Sequence, residues 1–173
     1  MKSIIYSTLL LLFIGCNNQP KEKKENSITP TAITPPVTRI IPNFNVALQF
    51  INDYIGFCTR EMSAHSDTTE ASWIQHNQLL TDNFKNRYKN LLDSARKADP
   101  ELGLDSDPVL DAQDYPDKGF AISERDTANG YVTMTGIGQN DFKLVLKLTS
   151  QNNAWLVDGA GVINIPGDKR ARR

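Results

Sequence analysis

The sequence predicts an α+β domain in which N-terminal helices pack on one face of a curved antiparallel sheet of about four strands. Apolar residues recur at three- and four-residue steps up to residue 98, whereas from Gly119 onward they alternate and turn residues follow at short intervals. Helices followed by a run of strands are typical of this class, because each layer buries its apolar face against the other. Of the 173 residues, the 158 after position 15 suit one domain with a tail.

The N-terminus is typical of a bacterial lipoprotein signal. One Lys, an apolar run over residues 4–14 and a small residue precede Cys16, and the run is too short to span a bilayer. The segment 12–16 resembles the lipobox, although Phe13 stands where Leu is usual. The resemblance implies cleavage before the cysteine and a diacylglycerol, with fatty acids such as palmitate, on its thiol. We therefore predict a signal peptide over residues 1–15 and lipidation at Cys16.

The segment over residues 16–42 is predicted to be a flexible tether. It is rich in Pro, Thr and Asn and carries the mixed charge run 21–25, so it cannot bury enough apolar surface to fold. The 26 residues after the cysteine would span on the order of 25–30 Å as a coil. That reach would free the domain over residues 43–166 from the lipid headgroups. A basic tail over residues 167–173 follows the domain.

The first helix is predicted over residues 45–61, with Asn45 as its N-cap. Its apolar residues share one helix face: Ala47, Phe50, Ile51, Tyr54, Phe57 and Cys58. Cys58 has no cysteine partner once Cys16 carries lipid, which excludes an intramolecular disulfide. Because Cys58 lies on an apolar face with no histidine nearby in sequence, we predict an inert core thiol and not a nucleophile.

Two further helices are predicted after a polar loop. Asp67-Thr68-Thr69-Glu70 has the spacing of a capping box, which predicts a short helix that carries Trp73 and Ile74. Thr81 is predicted to cap a longer helix over residues 82–98. Asp99-Pro100 ends this helix, since the residue before a proline disfavours the helical conformation. The long helix has one apolar stripe: Phe84, Tyr88, Leu91, Leu92 and Ala95.

Alternation predicts four strands, over residues 120–124, 131–135, 141–149 and 154–163. In the third strand Phe142 and the three leucines face one way, while Lys143 and Lys147 face the other. Gly136-Ile137-Gly138 lacks the further glycine and helix of a phosphate loop and predicts a hairpin turn. Gly159-Ala160-Gly161 predicts a bend or bulge in the last strand.

Charge is divided unevenly along the chain. Residues 43–166 contain ten Lys or Arg against seventeen Asp or Glu, while residues 17–42 carry a net charge of +2 and residues 167–173 carry +3. An acidic exported domain argues against nucleic acid as a partner. The basic tail could touch anionic lipid, but we predict that it is solvated and that its deletion leaves membrane fractionation unchanged.

The residues also resemble a known family. Leu80-Thr81-Asp82-Asn83-Phe84 at the start of the long helix and the closing Trp155-Leu156-Val157-Asp158 resemble the nuclear transport factor 2-like, or cystatin-like, cone. The segment over residues 107–116, DPVLDAQDYP, resembles the signature of the domain of unknown function 3828 family. The resemblance covers about residues 44–165. It implies a cone-shaped α+β domain, often lipid-anchored in Gram-negative bacteria, with no activity, cofactor or catalytic residues to carry over.

An acidic loop over residues 105–117 is the densest candidate site. It carries five aspartates, Asp105, Asp107, Asp111, Asp114 and Asp117. Clustered carboxylates suit calcium, and Asp105, Asp107 and Asp111 are the weak candidates for ligands. The spacing fails the EF-hand pattern, which requires Gly at the sixth position and Glu at the twelfth. We therefore predict that these aspartates close turns or face water, without a bound metal.

The sequence contains no constellation that is diagnostic of catalysis. The only histidines, His65 and His76, have no nucleophile at a diagnostic spacing, and the chain lacks a serine elbow and a phosphate loop. Related cones use an Asp or Tyr for proton transfer in a pocket between helices and sheet. The residue types available for that role are Asp158, Asp114, Tyr88 and Tyr131. We predict that the chain is not an enzyme and uses no cofactor.

The sequence predicts a lipid-anchored envelope protein that acts by binding. Because Asn17 follows Cys16, and not the Asp that often retains lipoproteins at the inner membrane, we expect the outer membrane, facing the periplasm. The favoured partner is another envelope protein, and its predicted contact surface contains Asp105, Asp107, Asp111 and Asp114. Two alternatives stay open. The domain could be an immunity-type inhibitor of a periplasmic toxin, or a small-molecule-binding or isomerase-like cone with a ligand cavity.

Overall fold

The computed structural model describes residues 41–63 and 69–172. They form three α-helices and one open four-stranded antiparallel sheet in the order β1-β2-β3-β4, which confirms the α+β prediction. The elements are α1 (Asn45–Ser63), α2 (Glu70–His76), α3 (Asp82–Ala98), β1 (Phe120–Asp126), β2 (Tyr131–Gly136), β3 (Gln139–Gln151), β4 (Ala154–Ala160) and a 3-10 turn (Gly167–Lys169). The predicted signal peptide, Cys16, nearly all of the tether and His65 lie outside the described residues.

Side-chain caps set the helix starts, and two of them differ from the prediction. Thr81 caps α3 as predicted, because its hydroxyl accepts the Phe84 N–H at 3.0 Å. The predicted cap of α1 was wrong: Asn45 is already helical, and Asn43 Oδ1 accepts its N–H at 3.3 Å. The predicted capping box was also wrong, since Thr69 caps α2 and Glu70 is its first residue. The Glu70 carboxylate is therefore not committed to a cap.

The core lies between the helices and one face of the sheet. In β3 the predicted alternation is confirmed: Phe142 packs against the core, the leucines at 144, 146 and 148 are buried in it, and Lys143 Nζ donates to Thr135 Oγ1 at 2.6 Å. The large side chains of this layer are fully buried and fill it: Phe50, Ile51, Tyr54, Ile74, Phe84, Tyr88, Leu110, Phe120, Met134, Leu144, Leu146 and Ile163.

Strand β4 bends at the predicted glycine-rich segment, has a bulge at the residue before that segment, and ends earlier than predicted. Leu148 pairs with Val157 while Lys147 pairs with Gly159, so Asp158 is the additional residue in β4. The strand stops at Ala160 because the backbone turns back there, with reciprocal hydrogen bonds of 3.0 and 2.8 Å between Ala160 and Ile163. The glycine-rich segment therefore bends the chain, as the sequence indicated.

The β4 bend holds a loop that we call the Asp107 loop (residues 105–112). The Val162 N–H donates to the Pro108 carbonyl at 3.0 Å, and Val109 and Leu110 are buried in the core. Gly161 has a φ of 56°, and a Cβ there would lie 2.5 Å from the carbonyl oxygens of Pro108 and Val109. Only glycine allows this approach, which fixes the loop against the end of the sheet.

Candidate functional site

The most concentrated polar chemistry in the described residues is a group of four side chains beneath the helices. Tyr54 Oη lies 2.7 Å from Glu70 Oε1 and 2.7 Å from Asp107 Oδ2, and Tyr88 Oη lies 2.7 Å from the same Glu70 oxygen. We call these four residues the tyrosine–carboxylate cluster. Each comes from a different part of the chain: α1, α2, α3 and the Asp107 loop. The cluster therefore ties all three helices to the loop.

Local sequence explains how each side chain reaches the cluster. Tyr54 and Tyr88 belong to the apolar stripes of α1 and α3, so their rings are buried and their hydroxyls need partners inside the domain. Glu70 is free to turn inward because Thr69 performs the capping. Asp107 Oδ1 accepts the N–H groups of Val109 at 2.7 Å and Leu110 at 3.0 Å, which leaves Oδ2 facing Tyr54.

Aromatic rings surround the cluster on the α1 side. The ring of Trp73 lies 5.6 Å from that of Tyr54 and 5.4 Å from that of Phe57, measured between centroids. Phe50 contacts both Tyr54 and Trp73 at centroid distances of 6.2 and 6.1 Å. These rings exclude water and lower the local dielectric, which strengthens every electrostatic interaction within the cluster.

Burial and like charge govern protonation in the cluster. Burial, reinforced by the neighbouring Glu70 carboxylate, raises the pKa of Asp107 to about 6 against the opposing hydrogen bonds. The same two causes raise the pKa values of the Tyr54 and Tyr88 hydroxyls above their ordinary range. Burial also raises the pKa of the half-buried Cys58 thiol to about 12, so this thiol is protonated near neutral pH. The tyrosines therefore act as proton donors and not as phenolates.

An open groove lies between α2 and α3 and borders the cluster at Tyr88. Its volume is about 310 Å³, and Ala71, Leu92 and Tyr88 supply apolar lining. Lys89 and Arg96 lie on the same groove, and Lys89 binds Asp93 one turn along α3. We call this feature the α2–α3 groove. The groove therefore reaches the cluster at Tyr88, while Glu70 is itself partly exposed.

The structure separates the five predicted aspartates of the acidic loop. Asp105, Asp114 and Asp117 are exposed, Asp111 is half-buried, and Asp107 turns inward to Tyr54. Asp111 has a φ of 54°, and its N–H donates to the Asp107 carbonyl at 2.8 Å, as in a tight turn. Across residues 41–63 and 69–172, no group of three His, Cys, Asp or Glu is placed to hold a metal ion.

Of the four residue types considered for proton transfer, only Tyr88 belongs to the cluster. Asp158 lies at the β4 bulge, and Asp114 is exposed. Lys147 Nζ lies over the ring of Tyr131, 6.0 Å from the centroid of that ring. His76 is also exposed, with Nδ1 2.8 Å from the Ser72 carbonyl oxygen. The roles of Tyr54 and Glu70 were missed. The signal available for Tyr54 was a hydroxyl in an otherwise apolar stripe, which requires a buried partner.

Comparison with protein-family models, with curated proteins and with solved structures finds no match to this chain. Within the part of the chain that the structure describes, no helix has the length and apolar character needed to cross a bilayer.

Proposed function

We propose that the chain is a lipid-anchored envelope protein whose α+β domain acts by binding a cationic protein partner. Anchoring through Cys16 and a flexible tether would hold the domain near a membrane, which raises its effective concentration toward a membrane-bound partner. Because Asn17 follows Cys16, and not the Asp that often retains lipoproteins at the inner membrane, the proposed location is the outer membrane, facing the periplasm. The anchor is tested by changing Cys16→Ser, which should move the protein from the membrane to the soluble fraction. Retention of that variant in the membrane would contradict the proposed anchor.

The observation that carries the binding proposal is an acidic segment over residues 99–117. It contains seven Asp or Glu and no Lys or Arg. Most of the carboxylates other than that of Asp107 are exposed, which favours a partner of positive charge through electrostatic complementarity. The segment extends the predicted contact surface, while the hydrogen bonds of Asp107 assign that residue to the interior.

An apolar side chain projects from the same segment. Leu102 is 76 % exposed, the largest value among the exposed large apolar residues of the described chain. Asp99 fixes the turn that presents it, since Asp99 Oδ1 accepts the N–H groups of Glu101 and Leu102, both at 3.0 Å. An exposed leucine within an acidic segment provides apolar area that a protein partner could bury. The proposed partner therefore offers basic residues around an apolar pocket.

The test is affinity capture of the anchored protein from mildly solubilised envelopes. The variant carries Leu102→Ser, Asp105→Asn and Asp114→Asn, which leaves the inward-facing Asp107 unchanged. The matched control carries Ile137→Ser, Glu124→Gln and Asp141→Asn, which removes the same number of exposed apolar and acidic groups elsewhere. A partner that the wild type and the control retain, and the variant loses, supports the proposal. Equal retention by all three proteins would contradict it.

The same surface also suits an immunity-type inhibitor, because a toxin with a basic face would bind it for the same reason. The captured protein separates the two possibilities, since an envelope component supports the accessory role and a toxin supports the inhibitor. A ligand cavity between helices and sheet has less support, because large apolar side chains fill that layer. The α2–α3 groove is the alternative place for a small ligand.

We further propose that the fold is the nuclear transport factor 2-like cone that the sequence resembles. What supports this proposal is the element order and the placement of the described helices on one face of the open meander. An experimental structure with helices on both faces of the sheet would contradict it.

A further inference from the structure

The tyrosine–carboxylate cluster contains more short contacts than its hydroxyl protons can fill. Three oxygen–oxygen distances of 2.7 Å join Tyr54 to Glu70, Tyr54 to Asp107 and Tyr88 to Glu70. A distance of this length is typical of an O–H···O bond, and each such bond contains one proton. Each tyrosine hydroxyl donates only one proton. Two protons therefore serve three contacts, and the third contact needs a proton from a carboxyl group.

We propose that Glu70 and Asp107 share one bound proton through the Tyr54 hydroxyl, and that loss of this proton releases α2 from the Asp107 loop. The cluster is then a pH-sensitive latch between two parts of the domain. This inference goes beyond the proposed binding function and does not depend on it.

Two arrangements satisfy all three contacts when the proton is present. With the proton on Asp107, that carboxyl donates to Tyr54 Oη and Tyr54 donates to Glu70. With the proton on Glu70, Glu70 donates to Tyr54 and Tyr54 donates to Asp107. Tyr88 donates to Glu70 in both. When the proton leaves to water, two carboxylates face a single hydroxyl, and one contact becomes a repulsion between oxygen lone pairs.

The groups that face the two carboxylates do not supply a compensating positive charge. On α1 they are Tyr54 and Cys58, on α3 Tyr88, and beyond the Asp107 loop Tyr115. Among residues 41–63 and 69–172, no Lys, Arg or His lies within ion-pairing distance of either carboxylate. An uncompensated second charge in this site is costly, so the proton is held until the solution approaches neutral pH.

The ionised pair separates on the side of α2. Asp107 is held by two backbone N–H groups, and its loop packs against Gly161. Glu70 is half-buried and belongs to a helix of only seven residues. Moving its side chain into water therefore costs less free energy than moving Asp107. Because α2 forms one wall of the α2–α3 groove, its release widens that groove. Proton loss therefore changes the surface that the domain presents there.

The test uses the full chain in detergent with Trp155→Phe, which leaves Trp73 of α2 as the only tryptophan. Trp73 packs against Phe50, Tyr54 and Phe57, so its emission reports whether α2 is docked. Between about pH 5 and pH 8 we expect a one-proton transition with a midpoint near pH 6, to longer wavelength at the higher pH. Emission that stays constant over this range would overturn the proposal.

Neutral isosteres provide the decisive variants. In Glu70→Gln or Asp107→Asn the new amide N–H can complete the third contact, so each variant should stay docked without a transition. Two variants are used so that the failure of one to fold leaves the other informative. The histidine variant His65→Gln with His76→Gln removes both imidazoles of the sequence and should keep the transition. The proposal would be overturned if the emission transition persisted in both carboxyl variants, or if it disappeared in the histidine variant.

Discussion

The Asp107 and Asp158 regions place the same side chain in opposite surroundings. Asp158 Oδ1 accepts the Thr81 hydroxyl at 2.7 Å and the Asn83 amide at 3.1 Å. Its other oxygen lies 3.8 Å from Lys147 Nζ. Thr81 and Asn83 donate hydrogen bonds to Asp158, and Lys147 is a nearby cation. The carboxylate therefore joins the start of α3 to β4.

Asp107 also accepts several hydrogen bonds, but it faces a second carboxylate across one hydroxyl. Burial and Glu70 together raise its pKa to about 6. The number of hydrogen bonds therefore does not by itself decide the charge of a half-buried aspartate. Donors and opposite charge favour the charged form of a carboxyl group, whereas burial and like charge favour the form that holds a proton.

Gly161 lies between the two regions and should give the largest effect. Because its φ is 56° and a Cβ would lie 2.5 Å from two carbonyl oxygens of the Asp107 loop, Gly161→Ala must displace that loop. We expect a loss of more than about 3 kcal/mol in the free energy of unfolding, measured with urea. The control is Gly167→Ala, where a Cβ would meet no atom within 4 Å. Equal losses in the two variants would show that the approach of backbone to backbone is unimportant.

The pH dependence of stability should differ between the two regions. The pKa of Asp107 is about 6 in the folded state and its ordinary value is 3.8, so the native state binds this proton more tightly. The stabilisation is fully present below pH 3.8 and is lost as the pH rises through about 6, by roughly 3 kcal/mol. The measurement is the free energy of urea unfolding against pH for the wild type and for Asp107→Asn. Parallel curves for the two proteins would contradict the assignment to Asp107.

Removal of the Thr81 hydroxyl should weaken the Asp158 region by a similar amount at about pH 5 and at about pH 8. Thr81→Val keeps the branched shape but loses the cap of α3 and the donor to Asp158. We expect a loss of about 2 kcal/mol, equal at about pH 5 and pH 8. Thr149→Val, on a half-buried position of β3, is the control and should change stability by less than about 0.5 kcal/mol. If the loss of stability in Thr81→Val grew with pH, the Asp158 region would not differ from the Asp107 region in its pH dependence.

The smallest effect is expected at the cation beside Asp158. Lys147 is partly exposed and its Nζ lies 3.8 Å from the carboxylate, so the pair is screened by solvent. Lys147→Met keeps most of the packing of the side chain and should cost less than about 1 kcal/mol, measured as a change in urea midpoint. A larger loss would mean that the ion pair, and not the hydroxyl and amide donors, holds Asp158 in place.

Local signals in the sequence predicted most of the fold. The bounds of α3 and its Thr81 cap were correct because capping and helical periodicity act within a few residues. The alternation in β3 was correct for the same reason, since one buried face fixes the side-chain pattern. The caps near Asn43 and Thr69 were missed because several neighbouring residues can each supply a capping oxygen, and tertiary packing selects among them.

The candidate site was only partly predictable. Pro108, Val109 and Leu110 dock on the core and turn Asp107 inward, so one aspartate of the acidic loop differs from the others. In sequence, Tyr54 lies 53 residues from Asp107 and 16 from Glu70. No local pattern links residues so far apart. What the sequence did show was a tyrosine hydroxyl within each apolar helix stripe.

The most direct test of the shared proton is NMR of the carboxyl carbons in the full chain, labelled at Asp and Glu and titrated with acid. The account predicts that the Asp107 signal responds to one proton with a midpoint near pH 6, and that the Glu70 signal changes over the same transition because the two groups share that proton. Assignment follows from the loss of each signal in Glu70→Gln and Asp107→Asn. If both carboxyl groups instead titrate independently near their ordinary values, about 4, the tyrosine–carboxylate cluster holds no shared proton and the latch does not exist.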